Sequence, residues 1–520
     1  MFRGKFRSLA LFGMTIPQKD EIPKSCPKSL AAILNFVACF HMMNSNIHFL
    51  SAHEIAALIR RKEISPVEVA QAHLDRIERL NPELNAFVDY RPEVVMAQAR
   101  IAEKAILRNN KNKDELGPLH GVPLSIKSSI DVAGHRCETG SRLRAGHIAA
   151  QDAPLVARLR AAGAVIVGVT NAPELLMAWE TDNLLYGRTN NPWDLTRTAG
   201  GSSGGEAAAI AAGLSAGGVG SDGGGSIRVP AHFCGICGLK PTPGRIPSTG
   251  HYPKASGPFA LLGVVGPMAR TIEDVRLLFE VMAGWDDGDP SSAPVTVHEI
   301  HETAVEKIPV GFFEDDGRTP VTEETREAVR YAAFTLTDRG FQVDAFRPEG
   351  LEEARQRWWE FFGTAGAMML EAEVRGRESE LSPIMREFLA WTGAAPAHSG
   401  ESLLAAWLGR DAIREKILVQ MRKFPVLICP AAAIPAFRHG EREWQVEGKT
   451  VKYFDAWSYC EWFNLLGFPA AVVPMGYSAE GLPIGVQIVG RPWEEEVVLA
   501  VAARLEKANG GKFKPPLCSG

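Results

Sequence analysis

The chain has 520 residues, enough to bury a large core in one big domain or two ordinary ones. Charged residues make up 22% and hydrophobic residues 46%, the balance of an ordinary soluble globular protein rather than a disordered or fibrous one. A formal charge of -5 gives no electrostatic basis for binding nucleic acid, which rests on Lys and Arg neutralising phosphates.

The first segment differs from the rest. Residues 1–28 are basic and contain proline, and residues 29–42 are mostly apolar but interrupted by Asn35. Such a stretch falls short of the roughly 20 residues that a stable membrane span requires. It also lies too far from the N-terminus for a standard signal peptide. Residues 1–45 are therefore expected to be a mobile extension, or to follow a start codon upstream of the true one at Met42 or Met43. A weak membrane anchor is the lesser alternative.

Helix signals begin at Ser51, which with Glu54 has the spacing of a capping box ahead of Ile55, Leu58 and Ile59. Ser65-Pro66-Val67-Glu68 repeats the signal, and an apolar stripe through Val69, Ala70, Leu74, Ile77 and Leu80 follows until Asn81-Pro82 stops it. A third helix is expected over 93–107. Short β-rich runs stand at Val122–Ile126 and Val165–Val169, with a helix at 153–162 between them. This alternation argues for an α/β sheet flanked by helices.

A helix should start at Glu206 and run through the alanines to Ala212, its N-terminal N–H groups facing Ser202 and Ser203. Residues 286–306 read as a surface connection. Ile308–Phe313 reads as a strand, 321–339 as a helix, 351–420 as mostly helical, and Val426–Cys429, Ala470–Val473 and Gly485–Val489 as strands. No internal repeat is present. A single domain over 46–515 is the simplest organisation, with 286–425 as its variable, substrate-facing part.

Eight cysteines in so long a chain do not make a disulfide framework, so a reducing compartment and a cytoplasmic location are expected. Cys234 and Cys237 form one Cys-x-x-Cys with His232 close by. No second half exists at ligand spacing, so the pair reads as core and no metal site is assigned.

The chemistry concentrates in residues 200–226, where two glycine-rich turns carry Ser202 and Ser226. Glycine lets a ligand approach the main chain, and backbone N–H groups beside a serine suit acyl transfer. Gly218-Val-Gly220-Ser-Asp-Gly223 fits the dinucleotide pattern G-x-G-x-x-G, but no helix is expected after it to take a pyrophosphate. Gly200-Gly-Ser202-Ser-Gly204 fits the elbow of serine esterases of the α/β-hydrolase type. That elbow needs a strand before it, where Asn190–Asp194 is turn-like, and a histidine downstream. His232, His251, His301, His398 and His439 offer no obvious partner. Lys127 ends the apolar run Gly121–Ile126. A lone lysine is usually a solvated surface charge, yet a buried neutral one could accept a serine proton.

Taken together, these segments resemble the amidase signature enzymes. The resemblance is carried by Gly200–Gly205, Gly220-Ser-Asp222, Gly224-Gly-Ser226-Ile-Arg228-Val-Pro230 and Cys237–Thr242. It extends over about residues 50–510, through Gly117–Lys127, Val169–Glu174, Asn464–Pro469 and Gly485–Arg491. Glu206 and the run Cys234–Pro241 look most like fatty-acid amide hydrolases.

The resemblance implies a large mixed β-sheet core with helices on both faces and a Ser-cisSer-Lys triad of Ser226, Ser202 and Lys127. It makes Ser226 the nucleophile that forms an acyl-enzyme, Lys127 the base, and Ser202, behind a cis peptide bond, the proton relay. The oxyanion donors would be the N–H groups of Gly223, Gly224, Gly225 and Ser226. Ser203 would orient the relay, and Asp222 and Arg228 would brace the loop. Many members carry an acidic residue just after the lysine, where this chain has Ser128-Ser129.

The implied reaction is hydrolysis of a small-molecule carboxylic amide to acid plus amine or ammonia, with no cofactor; a homodimer is the oligomer considered. The alternatives are the glutamine-hydrolysing A subunit of a glutamyl-tRNA amidotransferase and an esterase using Ser202. The amidotransferase subunit typically has an Asp twelve residues before the Pro of its closing segment, where this chain has Trp457. Trp358, Trp359, Phe361, Phe362, Tyr453, Phe454, Trp457 and Trp462 favour an apolar acyl or aryl group over glutamine.

Overall fold

The run Val165–Thr170 is buried at every position, the pattern of a strand covered on both faces, and it becomes part of the central sheet. In the computed structural model, which describes residues 47–108, 116–298, 300, 302–393, 398–510 and 513–518, fifteen strands are present. They are β1 (Phe87–Tyr90), β2 (Pro123–Lys127), β3 (Val165–Thr170), β4 (Asn190–Asn191), β5 (Asp194–Thr198), β6 (Gly217–Asp222), β7 (Cys237–Lys240) and β8 (Val264–Ala269). There follow β9 (Val310–Phe312), β10 (Val343–Ala345), β11 (Val426–Pro430), β12 (Glu443–Val446), β13 (Lys449–Lys452), β14 (Ala470–Tyr477) and β15 (Pro483–Val489).

Eleven of these form one sheet in the order β1-β3-β2-β6-β8-β7-β14-β15-β11-β9-β10, and β4–β5 and β12–β13 are separate ladders. The sheet is mixed: β2 runs parallel to β3 and β6, while β6–β8, β7–β14 and β14–β15 are antiparallel. Helices cover both its faces, as the α/β reading expected. Ser51–Gly520 forms one compact unit, and the described part of the segment before it is the short turn Ile47–Phe49. The expected extension at 1–45 lies outside the described residues.

Two capping boxes read from sequence are present. Ser51 starts Ala52–Arg60 and Ser65 starts Pro66–Leu84, each with its glutamate reaching back to the cap N–H. The second helix does not stop at Asn81-Pro82. It runs on to Leu84, because Pro82 lies in the last turn and forfeits only one N–H there. Asn85, in the left-handed region, then closes it.

The alanine-rich helix spans Gly204–Ala211 and begins two residues before the expected Glu206. Ser203 O already accepts from Ala207 N–H at 3.0 Å, and the Gly204 N–H donates to Thr181 Oγ1 at 3.2 Å, so both glycines belong to the first turn. All its residues are buried, and small side chains let it lie close to its neighbours.

Three strands next to the site were not foreseen. β6 reads Gly-Gly-Val-Gly-Ser-Asp, too rich in glycine to look like a strand, but Gly218 must be bare there because a Cβ would overlap the Glu206 carboxylate. β7 and β8 are the others. A seven-residue helix, Arg228–Cys234, does follow the G-x-G-x-x-G text, contrary to expectation. Its first two glycines lie inside β6 rather than in the turn, so the dinucleotide arrangement is still not met. Asn190–Asp194 is not merely a turn, since β4 and β5 pair there, but that hairpin lies outside the main sheet.

Candidate active site

Lys127 ends β2 and Ser221-Asp222 ends β6, and because the two strands are parallel both carboxyl ends open on one edge of the sheet. Ligands bind at that edge in open α/β sheets. From β6 the chain enters Gly223–Ser226 and then the helix Arg228–Cys234. Residues 200–203 come to the same place from β5, ahead of the alanine-rich helix.

The lysine is fully buried. Its Nζ lies 2.7 Å from Ser202 Oγ, 3.0 Å from Ser203 Oγ and 3.1 Å from Ser221 Oγ. Burial pushes its pKa down to about 7, against the opposing pull of the negative Asp222 and Glu206. A neutral amine offers two N–H donors and one lone pair, which matches three hydroxyl neighbours. The Ser203 hydroxyl donates to Ser221 O at 3.2 Å, so toward Lys127 it can only accept. The Gly201–Ser202 peptide is cis.

Ser226 and Ser202 line one cavity together with Ser221, Asp222, Gly223 and Ser248. Among the described residues Ser226 Oγ has no hydrogen-bond partner, which leaves it free to meet a ligand. Apart from His251, the remaining walls are apolar and include Leu176, Met177, Phe259, Val264, Val265 and Phe362. Of the eight aromatic residues expected to face substrate, Phe362 alone lines this cavity. Trp358, Phe361, Tyr453, Trp457 and Trp462 are buried in the core, and Trp359 and Phe454 pack against it. Their spacing could not distinguish a wall from an interior.

The loop is tied from below. Asp222 Oδ1 accepts from Gly225 N–H at 2.7 Å, Arg228 Nη2 at 2.9 Å and Asn464 Nδ2 at 3.0 Å. Its Oδ2 accepts from Ile227 N–H and Arg228 Nε, each at 3.0 Å. Burial alone would raise the Asp222 pKa. The Arg228 guanidinium and these hydrogen bonds instead hold it well below the usual carboxylate range. The Gly225 N–H is thereby committed to Asp222, a correction to the four-donor set expected from sequence. Among the described residues the N–H groups of Gly223, Gly224 and Ser226 have no partner.

Glu206 lies beneath the lysine and accepts from Ser125 Oγ and, at 2.7 Å, from Thr170 Oγ1. Burial raises its pKa to about 7, although both hydroxyls and Lys127 pull the other way. Ser128 and Ser129 do not take over the missing acidic role. Their hydroxyls are buried without partners among the described residues, and the bracing of Lys127 comes from Ser203 and Ser221. Ser221 sits inside the Gly220-Ser-Asp222 motif, yet nothing in that motif signals its contact with the lysine. Trp179, which also bonds the loop, carries no local signal, and Asn464 lies in the Asn464–Pro469 segment of the resemblance without any sign of this contact.

The competing motifs resolve differently. Ser202 has Lys127 as its partner, not a histidine. His232 is spent on the backbone of Gly485 and Ile434. His251 shares the cavity, but its Nδ1 is tied to Pro253 O at 2.9 Å. Cys234 and Cys237 are free, buried thiols, and among the described residues no cluster of side chains is arranged to hold a metal ion. No helix among them is long and apolar enough to cross a membrane.

The amidase family model matches residues 68–499. An acylamidase of Rhodococcus erythropolis is 34% identical over 487 residues, covering 91% of this chain and 98% of that protein. The A subunit of a glutamyl-tRNA(Gln) amidotransferase from Synechococcus sp. (strain JA-3-3Ab) is 36% identical over 484 residues, covering 88% and 92%. The solved structure of a fatty acid amide hydrolase superposes with a TM-score of 0.81 at 25% identity, covering 96% of this chain and 93% of that one. The chain belongs to the amidase family, the amidase signature enzymes, and hydrolyses carboxylic amides.

Proposed function

We propose that the enzyme cleaves amides with an apolar acyl or aryl group through an acyl-enzyme on Ser226. One observation carries the reading: a buried amine has three hydroxyls within 3.1 Å, and two of them, Ser202 and Ser221, line the cavity that Ser226 also lines. The neutral Lys127 draws a proton from Ser202, which takes one from Ser226 as its oxygen attacks the amide carbon. The returning proton passes through Ser202 to the leaving amine, and water then releases the acid by the same route. Gly223, Gly224 and Ser226 N–H groups hold the oxyanion, while Asp222 and Arg228 keep their loop in shape. Ser203 fixes the lysine. The buried free thiols fit a cytoplasmic location.

The substrate class follows from the lining. Asp222 is already paired with Arg228, so the cavity holds no free charge to meet the ammonium and carboxylate of glutamine. The glutaminase reading is favoured by several amidotransferase A-subunit relatives at 33% to 36% identity, and opposed by Trp457, buried and stacked on Trp179, at the position of the expected Asp.

Labelling with a fluorophosphonate probe, followed by kcat/KM for aryl, long-chain and glutamine amides, tests the proposal. Loss of labelling and turnover in Ser226→Ala, with aryl or alkyl amides preferred by at least about a hundredfold over glutamine, is expected. Retained acyl-enzyme formation in that variant would sink it.

A further inference from the structure

Asp222 to Gly225 form a chain of trans peptides, in which each carbonyl points opposite to the N–H of the next residue. Every carbonyl in this stretch has a donor. Asp222 O accepts from Asn464 Nδ2 at 3.1 Å and Gly225 O from Val229 N–H at 2.7 Å. The two between are taken by indoles: Trp358 Nε1 donates to Gly223 O at 2.9 Å, and Trp179 Nε1 to Gly224 O at 2.8 Å. We propose that Trp358 and Trp179 are positioning residues for catalysis: Trp358 turns the Gly223–Gly224 peptide so that the free Gly224 N–H faces the scissile carbonyl, and Trp179 holds the next peptide, whose Gly225 N–H is spent on Asp222, so that the turn keeps that orientation. The inference rests on the amidase reading above and adds to it the pair of groups that set the loop's orientation.

The side chains suit that task. An indole N–H can only donate, so it selects one orientation of a peptide and rejects its flip. Trp358 is fully buried and stacked on Phe362 at 4.5 Å, which fixes its ring. Trp179 is stacked on Trp457 at 6.0 Å, and its backbone N–H donates to the Tyr453 hydroxyl at 3.0 Å. A Cβ at Gly224 would overlap the Trp358 ring, so ring and loop are fitted to each other. The bonds are not a general property of this aromatic core, since Nε1 of both Trp457 and Trp462 is buried without a partner among the described residues. The Gly223–Gly224 peptide also gains as a donor, because a hydrogen bond at its carbonyl polarises its N–H.

The test uses the full chain with Trp358→Phe and Trp179→Phe, each counted by probe-labelled active sites, and Trp462→Phe as the control. Each of the first two should lower kcat about ten- to thirtyfold with KM within twofold. Affinity for a trifluoromethyl ketone, which mimics the tetrahedral oxyanion, should fall by the same factor. Trp462→Phe should keep both values within threefold. Should Trp358→Phe not fold, benzothienylalanine at position 358 keeps both rings, replaces the N–H with sulfur, and should give the same loss. Unchanged kcat and ketone affinity in the positioning variants, or an equal loss in the control, would overturn the assignment. Turnover that survives Ser226→Ala would instead remove the reading beneath it, a separate result.

Discussion

At the scale of single residues, the proposed mechanism makes Lys127 the group that sets the pH behaviour. Its amine must be neutral to accept a proton, and burial brings its pKa down to about 7. We expect kcat/KM to climb as pH rises through about 7 and then to level off, which a rate profile from pH 5 to 9 will show. Glu206 raises the lysine pKa by its charge, so Glu206→Gln should move that rising limb toward acid. A limb that stays in place or moves toward base would contradict the coupling. Stability carries the same signature. The folded pKa lies below the unfolded one, so between about pH 7 and 10.5 the unfolded chain holds a proton that the folded one has shed. Wild-type stability relative to Lys127→Met should therefore increase across that window, measured by urea unfolding at pH 6.5 and 9.5.

At the scale of elements, the turn from β6 into Arg228–Cys234 depends on one buried ion pair. Asp222→Asn leaves Arg228 charged and fully buried without its counter-ion, and breaking such pairs typically destabilises by about 3–5 kcal/mol. A fall in unfolding midpoint together with loss of probe labelling is expected. A variant as stable as wild type would show that the pair is not what holds the loop. Farther from the site, Ser65→Ala removes one cap of Pro66–Leu84 and should cost about 1 kcal/mol with kcat unchanged. The contrast between these two separates general stability from the geometry of the turn.

For the molecule as a whole, eleven strands bring four distant segments to one edge of the sheet: the end of β2, the turn before Gly204, the turn after β6, and Ser248–Val265. In the proposed reading the apolar end of the cavity selects the acyl group. Enlarging it by Phe362→Ala should raise KM for small aryl amides several-fold and favour bulkier ones, read from a panel of graded acyl size. An unchanged preference would place the acyl group elsewhere.

Much of this was legible along the chain for identifiable reasons. Capping boxes at Ser51 and Ser65 are local hydrogen-bond patterns, and Val165–Val169 is an apolar run, so both can be read residue by residue. β6 could not, because Gly218 answers to the Glu206 side chain and not to strand propensity. Commitment of the Gly225 N–H to Asp222, and the placement of seven of the eight suspected wall aromatics in or against the core rather than in the cavity lining, likewise depend on what lies across space.

The order of residues by itself determined the family and the α/β class and singled out two serines and a lysine as candidates, since glycine-rich turns and an apolar strand ending in lysine are short-range features. The tertiary structure alone decided that Lys127 is fully buried, that three hydroxyls surround it, and which N–H groups of the loop have no partner among the described residues. Those properties arise from burial and from contacts between segments far apart in sequence, and both the amine's basicity and the loop's orientation follow from them.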